Sequence, residues 1–231
     1  MYKYLYGKWK YLKGLVEGYG GIRLCDIRHY VRLENENMQD DEEVKHFEFP
    51  PESYQFSINN MDLDSKDFVG QIKFDIFVRP CLCICFSNKK NNAELFEKFE
   101  ADVCIEFNVN CLIEFLKYIF ETQFKGEVIA KNVYYYTDNA GLGTLSSQDA
   151  VFAKSIKYEH EDEFRIAVFL PYDYETLITV NGKKFKAFNK CECKLKTIKN
   201  GECHCYFSLL HNGLADGFKS YIRDIKKIKN N

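Results

Sequence analysis

The sequence predicts an α+β fold: a mostly antiparallel, mixed sheet with a few packed helices. Two observations lead there. Segments with strand character outnumber those with helical periodicity, and the two kinds are interspersed. Asn181-Gly182 and Asn200-Gly201 are hairpin signals, and hairpins join antiparallel neighbours. The 231 residues suffice for a substantial core and read as one domain. Within it, residues 34–66 form an acidic surface excursion, and residues 171–231 supply hairpins and a basic helix. No internal repeat is present.

In chain order, residues 2–6 read as a short strand. Trp9, Leu12 and Val16 fall at near-helical spacing, which predicts a helix over 9–17 that the Gly18-Tyr19-Gly20-Gly21 cluster ends. Residues 21–26 form a second strand. Glu34, Glu36, Asp40, Asp41, Glu42 and Glu43 then make an acidic run, followed by Pro50-Pro51, as in a surface loop. Residues 68–78 and 81–86 are strand-like, broken by Arg79-Pro80. Cys81, Cys83 and Cys85 alternate with Leu82, Ile84 and Phe86, so both faces are apolar, as in a central strand.

Leu95 and Phe99, four apart, predict a short helix over 91–101. After a strand over 103–107, Asn108 caps a helix over 109–124 striped by Leu112, Phe115, Leu116, Ile119 and Phe120. Residues 128–136 form a strand and 137–150 a polar, glycine-containing loop. Residues 154–169 read as one strand. Asn181-Gly182 joins 178–180 to 183–185, and a basic amphipathic helix over 214–228 carries Lys219, Arg223, Lys226 and Lys227.

A net charge of −2 gives no global signal for nucleic acid. The basic helix is the local surface that would meet a phosphate backbone, with binding that weakens as salt rises. The first residues lack the apolar core of a signal peptide. No apolar run approaches the roughly 20 residues that span a bilayer. The expectation is a cytoplasmic protein without a membrane partner, whose ten cysteines are reduced thiols.

Residues 154–169 carry the most chemistry. If they form one strand, Lys157, Glu159, Glu161, Glu163 and Arg165 share a face, and Ile156, Tyr158, His160, Asp162, Phe164 and Ile166 share the other. Such a charged row builds either a site in a cleft or a solvent-exposed ladder. Both readings stand. His160, on the apolar side, reads as a core residue. The histidines show no paired metal spacing.

Cys191, Cys193, Cys203 and Cys205 form two C-x-C pairs. A register setting Cys193 opposite Cys203 would gather four thiolates able to hold zinc. A two-residue turn at Asn200-Gly201 pairs Lys199 with Glu202 instead and sets no cysteine opposite another, which leaves buried apolar thiols.

Three segments carry a resemblance: Tyr2-Lys3-Tyr4; Cys85-Phe86-Ser87 with Leu95-Phe96-Glu97-Lys98-Phe99 and Val103-Cys104-Ile105-Glu106-Phe107-Asn108; and Lys154, Tyr158 and Glu161-Asp162-Glu163-Phe164-Arg165. Together they resemble a bacterial and phage family known as domain of unknown function 2971, in order and spacing over residues 2–170. The family's Phe-Asn-Asp-Pro motif has no counterpart beyond Arg32-Leu33-Glu34-Asn35-Glu36, and Tyr158 stands where tryptophan is common.

The layout is similar to that of ADP-ribosyltransferases, which open on an aromatic-bearing strand, continue with a serine-bearing one and end on a glutamate-bearing one. That similarity implies NAD as substrate and a protein or nucleic-acid acceptor, in a phage–host conflict setting. Glu163 would stabilise an oxocarbenium-like transition state, and Glu161 would position or deprotonate the acceptor, with Arg165 beside them. Ser87 would bind ribose or orient Glu163, Tyr2 or Tyr4 would stack on the nicotinamide, and Lys154 would join them on the ligand. The alternative is a non-enzymatic protein- or nucleic-acid-interaction module, with the acidic run and basic helix as partner surfaces and structural carboxylates.

Overall fold

A computed structural model describes residues 1–27, 44–53, 55–137, 145–171, 176–187, 206–211 and 215–228. It is a mixed α+β structure whose strands pair mostly antiparallel. β1 (Tyr2–Gly7) leads into α1 (Trp9–Glu17), which ends where Gly18 adopts φ 89° and donates its N–H to the Gly14 carbonyl. A side chain on Gly20 would lie 2.5 Å from the Gly14 carbonyl carbon. Glycine there lets the chain pass tightly over the helix end into β2 (Ile22–Asp26).

β3 (Val44–Phe49) pairs with β6 (Ile72–Phe77), enclosing the short pair β4 (Phe56–Ile58) and β5 (Met61–Leu63). Next come β7 (Cys81–Ser87), α2 (Ala93–Lys98), β8 (Val103–Asn108), α3 (Val109–Phe124) and β9 (Glu127–Asn132). β10 (Tyr134–Tyr136) and β11 (Ala153–Ser155) form a small parallel pair, and β12 (Glu163–Phe169) follows. β13 (Thr176–Ile178) and β14 (Lys184–Lys186) make a hairpin, and β15 (Tyr206–Leu209) and β16 (Ile222–Lys227) complete the described strands.

The eight-stranded sheet is organised around β7. One edge of β7 pairs along its whole length with β12, which continues to β9. The other edge is shared end to end. β1 meets it at the rung Tyr4–Ser87, and β2 meets it at Cys25–Cys83 and Asp26–Leu82. β1 continues outward to β8 and β16, and β2 to β15. The sheet is therefore forked, with a gap beside residues 84–86 of β7.

Directly opposed residues share a face, so the registers sort the sheet into two. One face is apolar: Leu24, Leu82, Ile84, Phe86, Ile105, Phe107, Phe164, Ile166 and Val168 pack with Leu15 of α1 and the Leu112, Leu116, Phe120 stripe of α3. The other carries Cys81, Cys83, Ala167 and Phe169 at one end and Tyr4, Tyr6 and Cys104 with Phe96 at the other. Between these ends lies the charged cluster. β10, β11 and the 3-10 turn Asp149–Phe152 contribute to the layer over this second face.

The structure revises several sequence expectations. Residues 154–169 are not one strand: β11 ends at Ser155, a 3-10 segment runs Ile156–Glu161, and Asp162 turns at φ 44° before β12. Period-two apolar alternation is sustained only from Phe164 onward, and Asp is among the few side chains that tolerate a left-handed turn. The basic helix over 214–228 is a 3-10 turn, Gly217–Tyr221, followed by β16. Gly217 at φ 51° and the β-branched Ile222 and Ile225 disfavour a helix, while the open edge of β8 supplies ladder partners.

The strand over 128–136 is broken at Val133, whose N–H bonds the Glu163 carbonyl. The excursion over 34–66 holds β3, β4 and β5 and is not all loop; its acidic run 34–43 lies outside the described residues. Asn108 precedes α3 without a side-chain cap bond. The hairpin loop is longer than a two-residue turn: Thr179 N–H bonds the Lys183 carbonyl, and Gly182 takes φ 78°. The two C-x-C pairs and Asn200-Gly201 lie outside the described residues. Among the described residues, no helix is long and apolar enough to cross a membrane.

Candidate functional site

The fork of the sheet opens a cavity of about 250 Å³ that passes between β1 and β2. Leu5, Leu12, Leu15, Ile22, Ile84 and Phe86 line its apolar side. Tyr4, Tyr6, Tyr11 and Phe99 form aromatic walls, and Ser87, Lys154, Glu161, Glu163 and Arg165 line the polar side.

Register explains this convergence. Glu106, Tyr4, Ser87 and Glu163 occupy one rung across β8, β1, β7 and β12. With strands spaced by about 4.8 Å, the Tyr4 and Glu163 backbones lie roughly 10 Å apart. A single small ligand can touch both.

The charged cluster is buried, with Lys154, Glu161, Glu163 and Arg165 each between 2% and 5% exposed. Arg165 grips Glu163 with two nitrogens, Nε to Oε1 at 2.7 Å and Nη2 to Oε2 at 3.1 Å, while Nη1 donates to the Val151 carbonyl. Lys154 Nζ bridges the carboxylates, 2.8 Å from Glu161 Oε2 and 3.3 Å from Glu163 Oε2, and sits over the Tyr158 ring. Burial alone would raise the Glu163 pKa. The charges of Arg165 and Lys154 outweigh it, helped by hydrogen bonds from Arg165 and the Cys85 thiol, and hold the carboxyl well below its usual range. Glu163 is thus a permanently ionised acceptor, unsuited to proton transfer near neutral pH.

Around the cluster, backbone geometry is clamped. Ser87 Oγ donates to the Glu161 carbonyl at 2.7 Å and accepts from the Lys89 N–H at 3.0 Å. The Asp162 turn is held by Asn88, whose N–H and Nδ2 both donate to the Asp162 carbonyl and whose Nδ2 also reaches Asp162 Oδ1. Asn88 N–H facing Asp162 also fixes the ladder's phase. The peptide groups of Cys85 and Ser87 then point away from β12, toward the shared edge. Ser87 meets Tyr4 there, but Cys85 falls in the gap and has no strand partner on that side among the described residues.

Six of the seven site residues read from sequence come together: Tyr4, Ser87, Lys154, Glu161, Glu163 and Arg165. Tyr2 does not. It lies at the end of the rung ladder opposite Asn108, 40% exposed, with the Arg223 guanidinium 4.9 Å from its ring. Ser87 clips the Glu161 backbone and does not orient the Glu163 carboxylate. His160, expected in the core, sits in the 3-10 segment, half-buried, with Nδ1 3.2 Å from the Lys157 carbonyl.

Sequence reasoning missed Tyr6, Tyr11, Phe99, Arg23 and the wall role of Cys85. Tyr6 had a signal, since it shares a strand face with Tyr4. It also missed Tyr135, which accepts the Glu163 N–H at 2.8 Å. Burial and the charges of Glu163 and Glu161 push the Tyr135 hydroxyl pKa above its ordinary value. Its place depends on parallel pairing with Lys154, which no local pattern reveals.

Among the described residues, no group of three or more His, Cys, Asp or Glu side chains is arranged to hold a metal. No known protein family's model matches the chain, and no curated protein or solved structure matches it.

Proposed function

We propose that this protein binds a nucleotide-type small molecule of the NAD class at the fork of the sheet and transfers ADP-ribose from it. The observation that carries this reading is the single rung that sets Tyr4, Ser87 and Glu163 on one cavity. A volume of about 250 Å³ lies below the roughly 300–1,000 Å³ of typical ligand pockets. It suits one planar ring with part of its sugar, the rest of the molecule extending through the mouth. The tyrosines offer stacking faces, and the Cys85 peptide offers an adjacent N–H and C=O to a ring substituent.

In the transfer, the bond from ribose to the nicotinamide nitrogen breaks and its electron pair leaves with nicotinamide. The resulting ribosyl cation is captured by an oxygen or nitrogen nucleophile on a protein or nucleic-acid acceptor, whose proton passes to solvent. The carboxylates of Glu161 and Glu163 lie beside the place where positive charge develops. A second reading, ligand binding without turnover, is favoured by the pairing of Glu163 with two cations, which leaves little of its charge for a transition state.

Calorimetric titration with NAD, combined with measurement of released nicotinamide and of label on protein, RNA and DNA acceptors, separates these readings. Wild type should bind NAD, release nicotinamide and label an acceptor, with release falling about 100-fold in Glu163→Gln. Glu161→Gln, which breaks one ion pair, serves if Glu163→Gln does not fold. Binding without release establishes the second reading. No binding overturns both.

A further inference from the structure

Cys85 lies where two strands converge on one edge of β7. Continued past the rung Tyr4–Ser87, β1 would set Tyr6 opposite Cys85. Continued past Cys25–Cys83, β2 would set Arg23 there. Neither strand does so, and among the described residues no strand pairs with Cys85 on that side. Tyr6 and Arg23 instead line the cavity, together with Ile84, Cys85 and Phe86. A peptide group left out of the ladder in the middle of a central strand is unusual, because N–H and C=O groups away from bulk water are nearly always paired.

The position is also fixed from its other sides. On the opposite edge β7 pairs with β12 without a break, and Arg165 faces Cys85 there. Along the shared edge the flanking residues Ser87 and Cys83 are paired with Tyr4 and Cys25. The Cys85 thiol is hydrogen-bonded to the Glu163 carboxylate. In an antiparallel ladder, a residue turned toward its neighbour presents N–H and C=O side by side, and the opposite residue answers with an acceptor and a donor. A ring edge carrying an acceptor beside an N–H donor answers equally well. The amide of nicotinamide has such an edge, and so does the amino-bearing edge of adenine.

Resting on the proposed binding of a nucleotide-type ligand, we infer that the Cys85 peptide sets the specificity of the cavity by reading an acceptor and an N–H donor side by side on the ligand's ring. The Cys85 N–H donates to the ring's acceptor, and the Cys85 C=O accepts from the ring's amino group. Oxygen in place of that amino group sets two acceptors against each other and leaves the Cys85 carbonyl without a donor. A site built to hydrogen-bond an N–H rejects the analogue that lacks it for this reason. Tyr4 and Tyr6, walls of the same cavity, offer faces on which the ring can stack.

The test replaces the amino group by oxygen at each end of NAD in turn, and its titrations need no variant. Calorimetry compares NAD with nicotinic acid adenine dinucleotide, which carries a carboxylate for the amide. It also compares NAD with nicotinamide hypoxanthine dinucleotide, which carries a carbonyl for the adenine amino group. At least one of the two should bind about tenfold or more weakly than NAD, the scale of a hydrogen-bonding group left unsatisfied. The more weakened analogue identifies the ring that enters the gap. Protein isotopically labelled at its cysteine nitrogens reads the peptide itself. The Cys85 amide resonance, assigned as the one missing from Cys85→Ala, should shift on saturation with NAD. Equal affinity for all three dinucleotides overturns the inference, as does a Cys85 resonance unmoved by saturating NAD; in both cases NAD binds and the nucleotide reading stands. If NAD does not bind, the nucleotide reading itself fails and the inference falls with it.

Discussion

The two faces of the central sheet are built on different physics. On the apolar face, Ile105, Phe107, Phe164 and Ile166 meet the Leu112, Leu116, Phe120 stripe of α3. Stabilisation there scales with buried area and depends only loosely on side-chain identity. On the other face, Lys154, Glu161, Glu163 and Arg165 are as buried but interact through directed ion pairs. Desolvation opposes those pairs, and they stand only while every member is present. The same strands serve both faces because alternate residues point opposite ways. One face gives the fold a tolerance for exchange; the other fixes a geometry.

The largest expected effect attacks the bridging cation. Lys154→Met leaves two carboxylates buried side by side, and urea unfolding should show a loss of about 3–5 kcal/mol. The volume-conserving Leu116→Met on the apolar face should cost less than about 1.5 kcal/mol. Similar costs for the two swaps would erase the contrast between the faces.

Next comes coupling. A double-mutant cycle of Glu163→Gln with Arg165→Lys should give an interaction of about 0.5–3 kcal/mol, whereas Glu163→Gln with Leu112→Ala should add to within about 0.5 kcal/mol. Arg165→Lys is not conservative here, because the two-nitrogen grip is lost.

Acid sharpens the comparison further. Glu163 is held ionised in the fold, so its stabilisation is complete above the ordinary carboxylate pKa of about 4.3 and is lost as pH falls below it. Burial and the nearby charge of Lys98 lower the His160 pKa. The unfolded chain therefore binds that proton first, and stability starts to fall below about pH 6.5. Unfolding midpoints against pH should show a shallow decline below about 6.5 and a steeper one below about 4.3. Glu163→Gln should flatten the second. The smallest effect lies at the end of α3, where Lys125 takes φ 54°. Lys125→Gly should raise stability by about 1 kcal/mol, seen as a higher thermal midpoint, because glycine adopts that conformation without strain.

How legible the molecule was depends on whether a feature is local. β1, α1, β2, β7, β8 and α3 were readable from periodicity and turn residues. Tyr4, Ser87 and Glu163 were readable as an ordered series of motifs, and the structure places them on one rung. The gap was not readable: it arises because β1 and β2 share one edge of β7, a register choice between segments far apart in sequence. Arg23 and Tyr135 owe their places to such choices. Residues 154–169 misled because charged side chains alternate as well in a 3-10 segment followed by a strand as in a continuous strand. The basic C-terminal segment misled because its spacing fitted a helix, while the open edge of β8 decided for a strand. Its cations are used locally, Arg223 over Tyr2 and Lys227 over Trp9.

The central claim is that a nucleotide-type ligand occupies the fork of the sheet. Hydrogen–deuterium exchange with and without saturating NAD tests it most directly, because the Cys85 peptide group is turned toward the gap. The account predicts slowed exchange in peptides covering residues 84–87 and β1, with no change in β9 on the far side of β12. Unchanged exchange at residues 84–87, or protection confined to another part of the molecule, would contradict it.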